Sequence, residues 1–214
     1  MFRPLLAALL LAVFPAFAQQ PAKPAQPPAP AKEAAPAAQQ APAKPHPMKA
    51  SAERTQAALE KVPAAKPEDV KSVGAIITAL YDVISGPAGQ PRDWQRFRSL
   101  FYPGAQMMPV VRGKTGLRAI PFTPEDYVTG NSEYFATHAF FEKETHRQAA
   151  GYGDLVTVQS AYETYEVLGG PAVARGVNSL QLFFDGQRWW VLNIAWTDDR
   201  AAGKPVPKDL TRKE

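Results

Sequence analysis

The chain has 214 residues, with 24 basic and 20 acidic side chains and no cysteine. The absence of thiols excludes disulfides, thiolate zinc sites, cysteine nucleophiles and a lipid-anchoring cysteine. The formal charge of +4 is unevenly spread: residues 67–200 carry 12 basic and 15 acidic side chains, so the excess sits in the terminal stretches. A nucleic-acid-binding domain needs its positive charge on the folded surface, which argues against a nucleic-acid partner.

Met1–Ala18 reads as a secretory signal. Arg3 is the basic start, Leu5–Phe14 the apolar run, and Ala16-Phe17-Ala18 a small-residue cleavage site. The apolar run is too short to span a bilayer as a helix, so the expectation is export to the periplasm or the medium, with no stable membrane insertion after cleavage. Residues 19–66 are dominated by Ala, Pro, Gln and Lys, a composition that favours solvated, extended chain over a packed core. At ~3.1 Å per residue such a linker reaches on the order of 150 Å. Within it, Ala50–Val62 has helical propensity.

One folded domain is expected over residues 67–200. Pro67-Glu68-Asp69 is a helix start, with proline and two acids in the first turn. Val73, Ile76, Ile77, Leu80, Tyr81 and Ile84 then form one buried stripe, ended by Gly86-Pro87. A second helix begins after the cap Asp93, with Trp94, Phe97, Leu100 and Phe101 apolar. Tyr102-Pro103-Gly104 predicts a turn into a strand over Ala105–Arg112, and Lys114–Phe122 reads as irregular. Thr123-Pro124-Glu125-Asp126 opens a third helix with Tyr127, Val128, Tyr134 and Phe135 inward. Strands follow over Phe140–Ala149, Leu155–Val167 and the hairpin Ala174–Asp199, whose turn is Asp185-Gly186. Strict alternation puts Asn178, Leu180, Leu182 and Phe184 on one face with Trp190, Leu192, Ile194 and Trp196. The tail, residues 201–214, reads as loose.

Helices followed by long antiparallel strands make an α+β pattern. The opening helix (SVGAIITALYDVI), the segment WQRFRSLFYPGA and the closing DGQRWWVLNIAW strand resemble the nuclear transport factor 2-like superfamily, with its SnoaL-like members. The resemblance covers residues 70–199. It implies a cone-shaped half barrel of a curved antiparallel sheet covered by three N-terminal helices, often paired as a homodimer through the outer sheet face. No cofactor is expected. Residues of this chain that would line the cone are Trp94, Phe97, Phe101, Tyr127, Tyr162, Asn178, Trp190 and Trp196. The outer face and its interface would use Gln181, Trp189, Val191 and Asn193.

Superfamily enzymes place an Asp or His in the cone for proton transfer. The groups available here are His138, His146, Asp198 and Glu163, of which His138 and Asp198 are the candidates. None sits in a catalytic motif, and His146 lies in a run (Glu142, Lys143, Glu144, Arg147) that reads as solvated strand. Three scattered histidines and the lack of Asp-rich spacing give no metal site. The leading expectation is an exported domain that binds a small apolar or amphipathic molecule without catalysis. The alternatives are a cofactor-free isomerase, dehydratase or cyclase, and a cell-envelope interaction module using the outer face.

Overall fold

The computed structural model describes residues 46–211. The expected secretory signal and most of the expected linker, residues 1–45, lie outside them, as do residues 212–214.

Helix α1 (Pro47–Leu59) lies inside the stretch expected to be extended linker. Its alanine content and proline at the first position favour helix once His46 caps it by accepting from the Met48 amide. The helix expected from Pro67 is broken in two: α2 (Pro67–Val70) and α3 (Val73–Ile84). Ser72 is extended between them, and its hydroxyl accepts from the Ala75 amide, so a cap interrupts what apolar spacing alone reads as continuous. Helix α4 (Trp94–Ser99) starts at Asp93, whose carboxylate accepts from the Arg96 amide. Helix α5 (Pro124–Thr137) carries a full capping box between Thr123 and Asp126. Tyr134, expected inward on α5, is exposed, whereas Val128 and Phe135 are buried.

Six strands form one curved, open sheet in the order β2-β1-β6-β5-β4-β3. They are β1 (Phe101–Gly113), β2 (Gly116–Ala119), β3 (Phe141–Tyr152), β4 (Leu155–Tyr165), β5 (Ala174–Phe184) and β6 (Trp189–Asp198). The sheet is mixed rather than wholly antiparallel, because β1 runs parallel to β6. Tyr102-Pro103-Gly104 lies within β1 instead of turning into it. The register to β6 slips between Phe101 and Gln106, and Gly104, at φ 88°, supplies the left-handed residue of that irregularity. Part of the stretch expected to be irregular pairs as β2.

The core lies between the concave sheet face and the helices, with Ile76, Ile77, Phe97, Leu100, Val158, Leu180, Leu182 and Val191 all below 2% exposed. Arg96 of α4 joins the helices, donating Nε to Asp69 of α2 at 2.7 Å and Nη1 to Asp82 of α3. Arg92, 7% exposed, donates to the carbonyls of Ile84, Gly86, Pro87 and Gln90, which fixes the loop after α3.

A bulge in β6 overturns strict alternation in the hairpin. Gln181 pairs with Asn193 and Leu182 with Val191, leaving Leu192 as the extra residue. Before that point every side chain changes face. Val191 is 0% exposed and Trp189 packs on the core, while Trp190 turns to the convex side between Tyr102 and Phe183. The expected interface set of Gln181, Trp189, Val191 and Asn193 is therefore split, and only Gln181 and Asn193 remain on the outer face. Residues 201–211, expected to be loose, form the end of α6 (Asp199–Ala202) and a 3-10 turn (Lys208–Leu210) against β3 and β4.

Candidate functional site

A cavity of about 230 Å³ opens within the concave face, bounded by α3, α4, α5 and the inner rows of β1, β3, β5 and β6. Aliphatic walls come from Ile77, Leu80, Ile84, Met107, Leu180 and Ile194. Its polar groups are few: Tyr81, Tyr127, Asn131, Glu142 and Asn178, with the Trp196 indole beside them. An apolar pocket with a small number of convergent polar groups is the usual make-up of a small-molecule site.

Tyr81 reaches the cavity because it belongs to the buried stripe of α3. Asn178 reaches it because β5 alternates without interruption at this point. The Asn178 amide donates to Tyr81 Oη at 3.0 Å, and Tyr81 Oη lies 2.7 Å from Ser160 Oγ. Ser160 donates to Glu144 Oε1 at 2.5 Å, and Arg147 holds the other carboxylate oxygen. With its own proton committed to Glu144, Ser160 accepts from Tyr81. This line of bonds fixes Tyr81 as acceptor from Asn178 and donor to Ser160.

Among the described residues Glu142 is the one carboxylic acid in the lining. The start of β3 is pinned to the end of α3 by the paired amides and carbonyls of Gly86 and Phe140, and Ser85 Oγ accepts from the Glu142 amide at 3.0 Å. Those bonds set the register that turns Glu142 inward opposite Thr164, whose hydroxyl lies 3.4 Å from Oε2. Although Glu142 is only half-buried by area, burial pushes its carboxyl up to about 7, against the opposing hydrogen bonds from Asn178 and Thr164. Burial also pushes the Tyr127 phenol up, assisted by the Glu142 charge. Among the described residues the Tyr127 hydroxyl has no hydrogen-bond partner, so it is free to donate into the cavity.

Of the eight residues expected to line the cone, Phe97, Tyr127, Asn178 and Trp196 do so. Trp94 stands behind them, edge-on to Phe97 at 5.7 Å and stacked on Phe135. Phe101 is core, 4.8 Å from Phe97 between ring centres. Tyr162 is buried over Gly176, where a Cβ would stand 2.4 Å from its ring, so glycine there makes room for the tyrosine. Trp190 is carried out by the bulge, with the Arg188 guanidinium 3.7 Å from its ring centre and its indole N–H donated to Asp185.

Neither catalytic candidate reaches the cavity. His138 caps α5, stacked on exposed Tyr134 at 4.5 Å with Thr137 Oγ1 against Nδ1. Asp198 caps α6 through the Ala201 amide and pairs with Arg200. Glu163 pairs with Arg175 on the outer side. Sequence reading missed Tyr81, Asn131 and Glu142. For Glu142 the signal was misleading, since Glu-Lys-Glu on an edge strand looks solvated and only the packing of α3 and α5 over that row buries it. Among the described residues no three His, Asp or Glu side chains come together as a metal site.

No protein-family model matches the chain. No curated protein matches it either. Solved structures similar to it include a nuclear transport factor 2-like protein of unknown function from Silicibacter pomeroyi, at 11% identity over 60% of this chain and 93% of that one, with a TM-score of 0.44. A putative dehydratase of the same family from Streptomyces avermitilis is 17% identical over 65% and 96%, TM-score 0.44. A hexachlorocyclohexane dehydrochlorinase from Novosphingobium barchaimii is 12% identical over 69% and 90%, TM-score 0.44. Likeness this distant carries no argument about chemistry, which rests on the cavity of this chain alone.

Proposed function

We propose that this is an exported protein whose cavity binds a small, largely apolar carbonyl or hydroxy-carbonyl compound, and that Glu142 exchanges a proton with it without a cofactor. The observation that carries this reading is a carboxyl poised near neutral pH inside an apolar cavity, beside a phenol free to donate. In the carboxylate form Glu142 takes a proton from the carbon next to the carbonyl. The electron pair moves onto the carbonyl oxygen, which accepts from the Tyr127 hydroxyl. Returning the proton to another carbon completes an isomerisation; loss of a β-hydroxyl as water, with that proton, completes a dehydration. Asn178, itself held by Tyr81, and Thr164 position the carboxyl. Among the described residues no basic side chain lines the cavity, so anionic molecules are disfavoured next to the carboxylate.

The test uses the full chain with cyclic enones and β-hydroxy ketones as probes. Tryptophan fluorescence follows binding through Trp196, and proton NMR in D2O follows exchange of the hydrogens next to the carbonyl. Expected is saturable binding with exchange that rises with pH through about 7 and falls by at least about a hundredfold in Glu142→Gln, binding being retained. Equal exchange in the native chain and Glu142→Gln, or binding with no exchange in either, overturns proton transfer. Failure of every probe to bind overturns the cavity reading as well.

A further inference from the structure

On the convex face the register places Met108, Ala195, Val177, Ser179, Gln159 and Ala161 across four neighbouring strands, and none of them is charged. Charged side chains stand at its rim, with Arg175 paired to Glu163 at one end and Arg188 at the other. An uncharged centre inside a polar rim is the make-up of a protein interface. The chain itself occupies part of it. Helix α6 is tied down by Asp198, which accepts from the Ala201 amide, and by Arg112, which donates to the Ala201 carbonyl at 2.9 Å. It ends on Gly203 in the left-handed conformation, which reverses the chain.

From there Pro205-Val206-Pro207 leads into the 3-10 turn Lys208–Leu210 on β3 and β4. Gln148 donates to the Asp209 carbonyl at 3.1 Å. Gln148 pairs with Gln159, whose amide bonds Ser179, so this contact is on the convex side, opposite Ser160 and Asn178. Val206 and Leu210 are half-buried while the residues between them are exposed. Ala161 is 1% exposed although its Cβ leaves the sheet on this same side. Two prolines restrict the segment before it docks, which lowers the entropy lost on ordering it.

We propose that residues 203–211 are an intramolecular strap that occupies the convex sheet face in place of a second copy of the chain. The full chain is then a monomer, and releasing the strap exposes an uncharged face that pairs with itself. This is independent of what the cavity does.

The experiment is size-exclusion chromatography with light scattering, at micromolar concentration, on three proteins: the full chain, a chain ending at Ala202, and the full-length double variant Val206→Asp/Leu210→Asp. Expected is one-chain mass for the full chain, and self-association at least about tenfold tighter in both altered proteins. A two-chain mass for the full chain overturns the proposal. So does a one-chain mass for the double variant that retains its circular dichroism and cooperative melt. If the truncated chain does not fold, the double variant decides alone, because it keeps the whole chain length and changes only the two half-buried side chains of the strap.

Discussion

Replacing Glu142 with glutamine separates burial of a carboxyl from burial of a polar group of the same shape. The folded protein raises this carboxyl from 4.5 to about 7. At 1.36 kcal/mol per unit, ionising it costs about 3 kcal/mol more in the folded than in the unfolded chain. Half-burial by area leaves some solvent access, which reduces the expected figure to about 2–3 kcal/mol. The sign follows from the direction of the shift. Below 4.5 both states hold the proton, and the carboxyl imposes no penalty. As pH rises from 4.5 to about 7 the unfolded chain releases its proton first, so the native protein loses stability relative to the variant. Above 7 the difference is constant. Urea unfolding of both full chains, followed by tryptophan fluorescence between pH 4 and 8, reads it directly. Carboxylates common to the two proteins cancel in the difference. Expected is no difference at pH 4 and a glutamine variant about 2–3 kcal/mol more stable at pH 8. A difference that does not change with pH, or a less stable variant at pH 8, refutes the placement of this carboxyl in an apolar cavity.

Two further substitutions test the frame around the site. Asp69 is 5% exposed, and its hydrogen bond to Arg96 holds its carboxyl below the usual range. Asp69→Asn therefore costs about 3 kcal/mol at pH 7, measured by urea unfolding. Since the folded value is depressed, that contribution is present above the ordinary carboxylate range and shrinks as pH falls through it. The β6 bulge is tested by Val191→Thr against Asn193→Val. The first places a hydroxyl at a fully buried position and lowers stability by about 2 kcal/mol. The second removes a buried amide oxygen that has no partner among the described residues. It is neutral or stabilising by about 1 kcal/mol in thermal melts. Strict alternation along β6, which puts both residues on the outer face, gives no loss for Val191→Thr.

What the sequence determined by itself was local. Caps at Asp93 and Thr123, the stripe Val73–Ile84, and the Asp185-Gly186 turn between alternating runs placed the helices and the closing hairpin, because capping, helical periodicity and turn geometry depend on residues a few positions apart. The same local signals located Phe97, Tyr127, Asn178 and Trp196 in the cavity, since each sits on an apolar row whose inward side was legible. Tertiary structure decided the rest. The extra residue at Leu192 exists only relative to β5, and it exchanged the faces of Trp189, Trp190 and Val191 without any mark in β6 itself. Asp198, a catalytic candidate by residue type that also read as a cap of the last strand, is the cap of α6 instead. Glu142 looked like a surface acid beside Lys143 until α3 and α5 were packed over its side of an edge strand. A carboxyl's chemistry depends on what excludes water from it, and here that is supplied by Ile84 and Tyr127, 58 and 15 residues away along the chain.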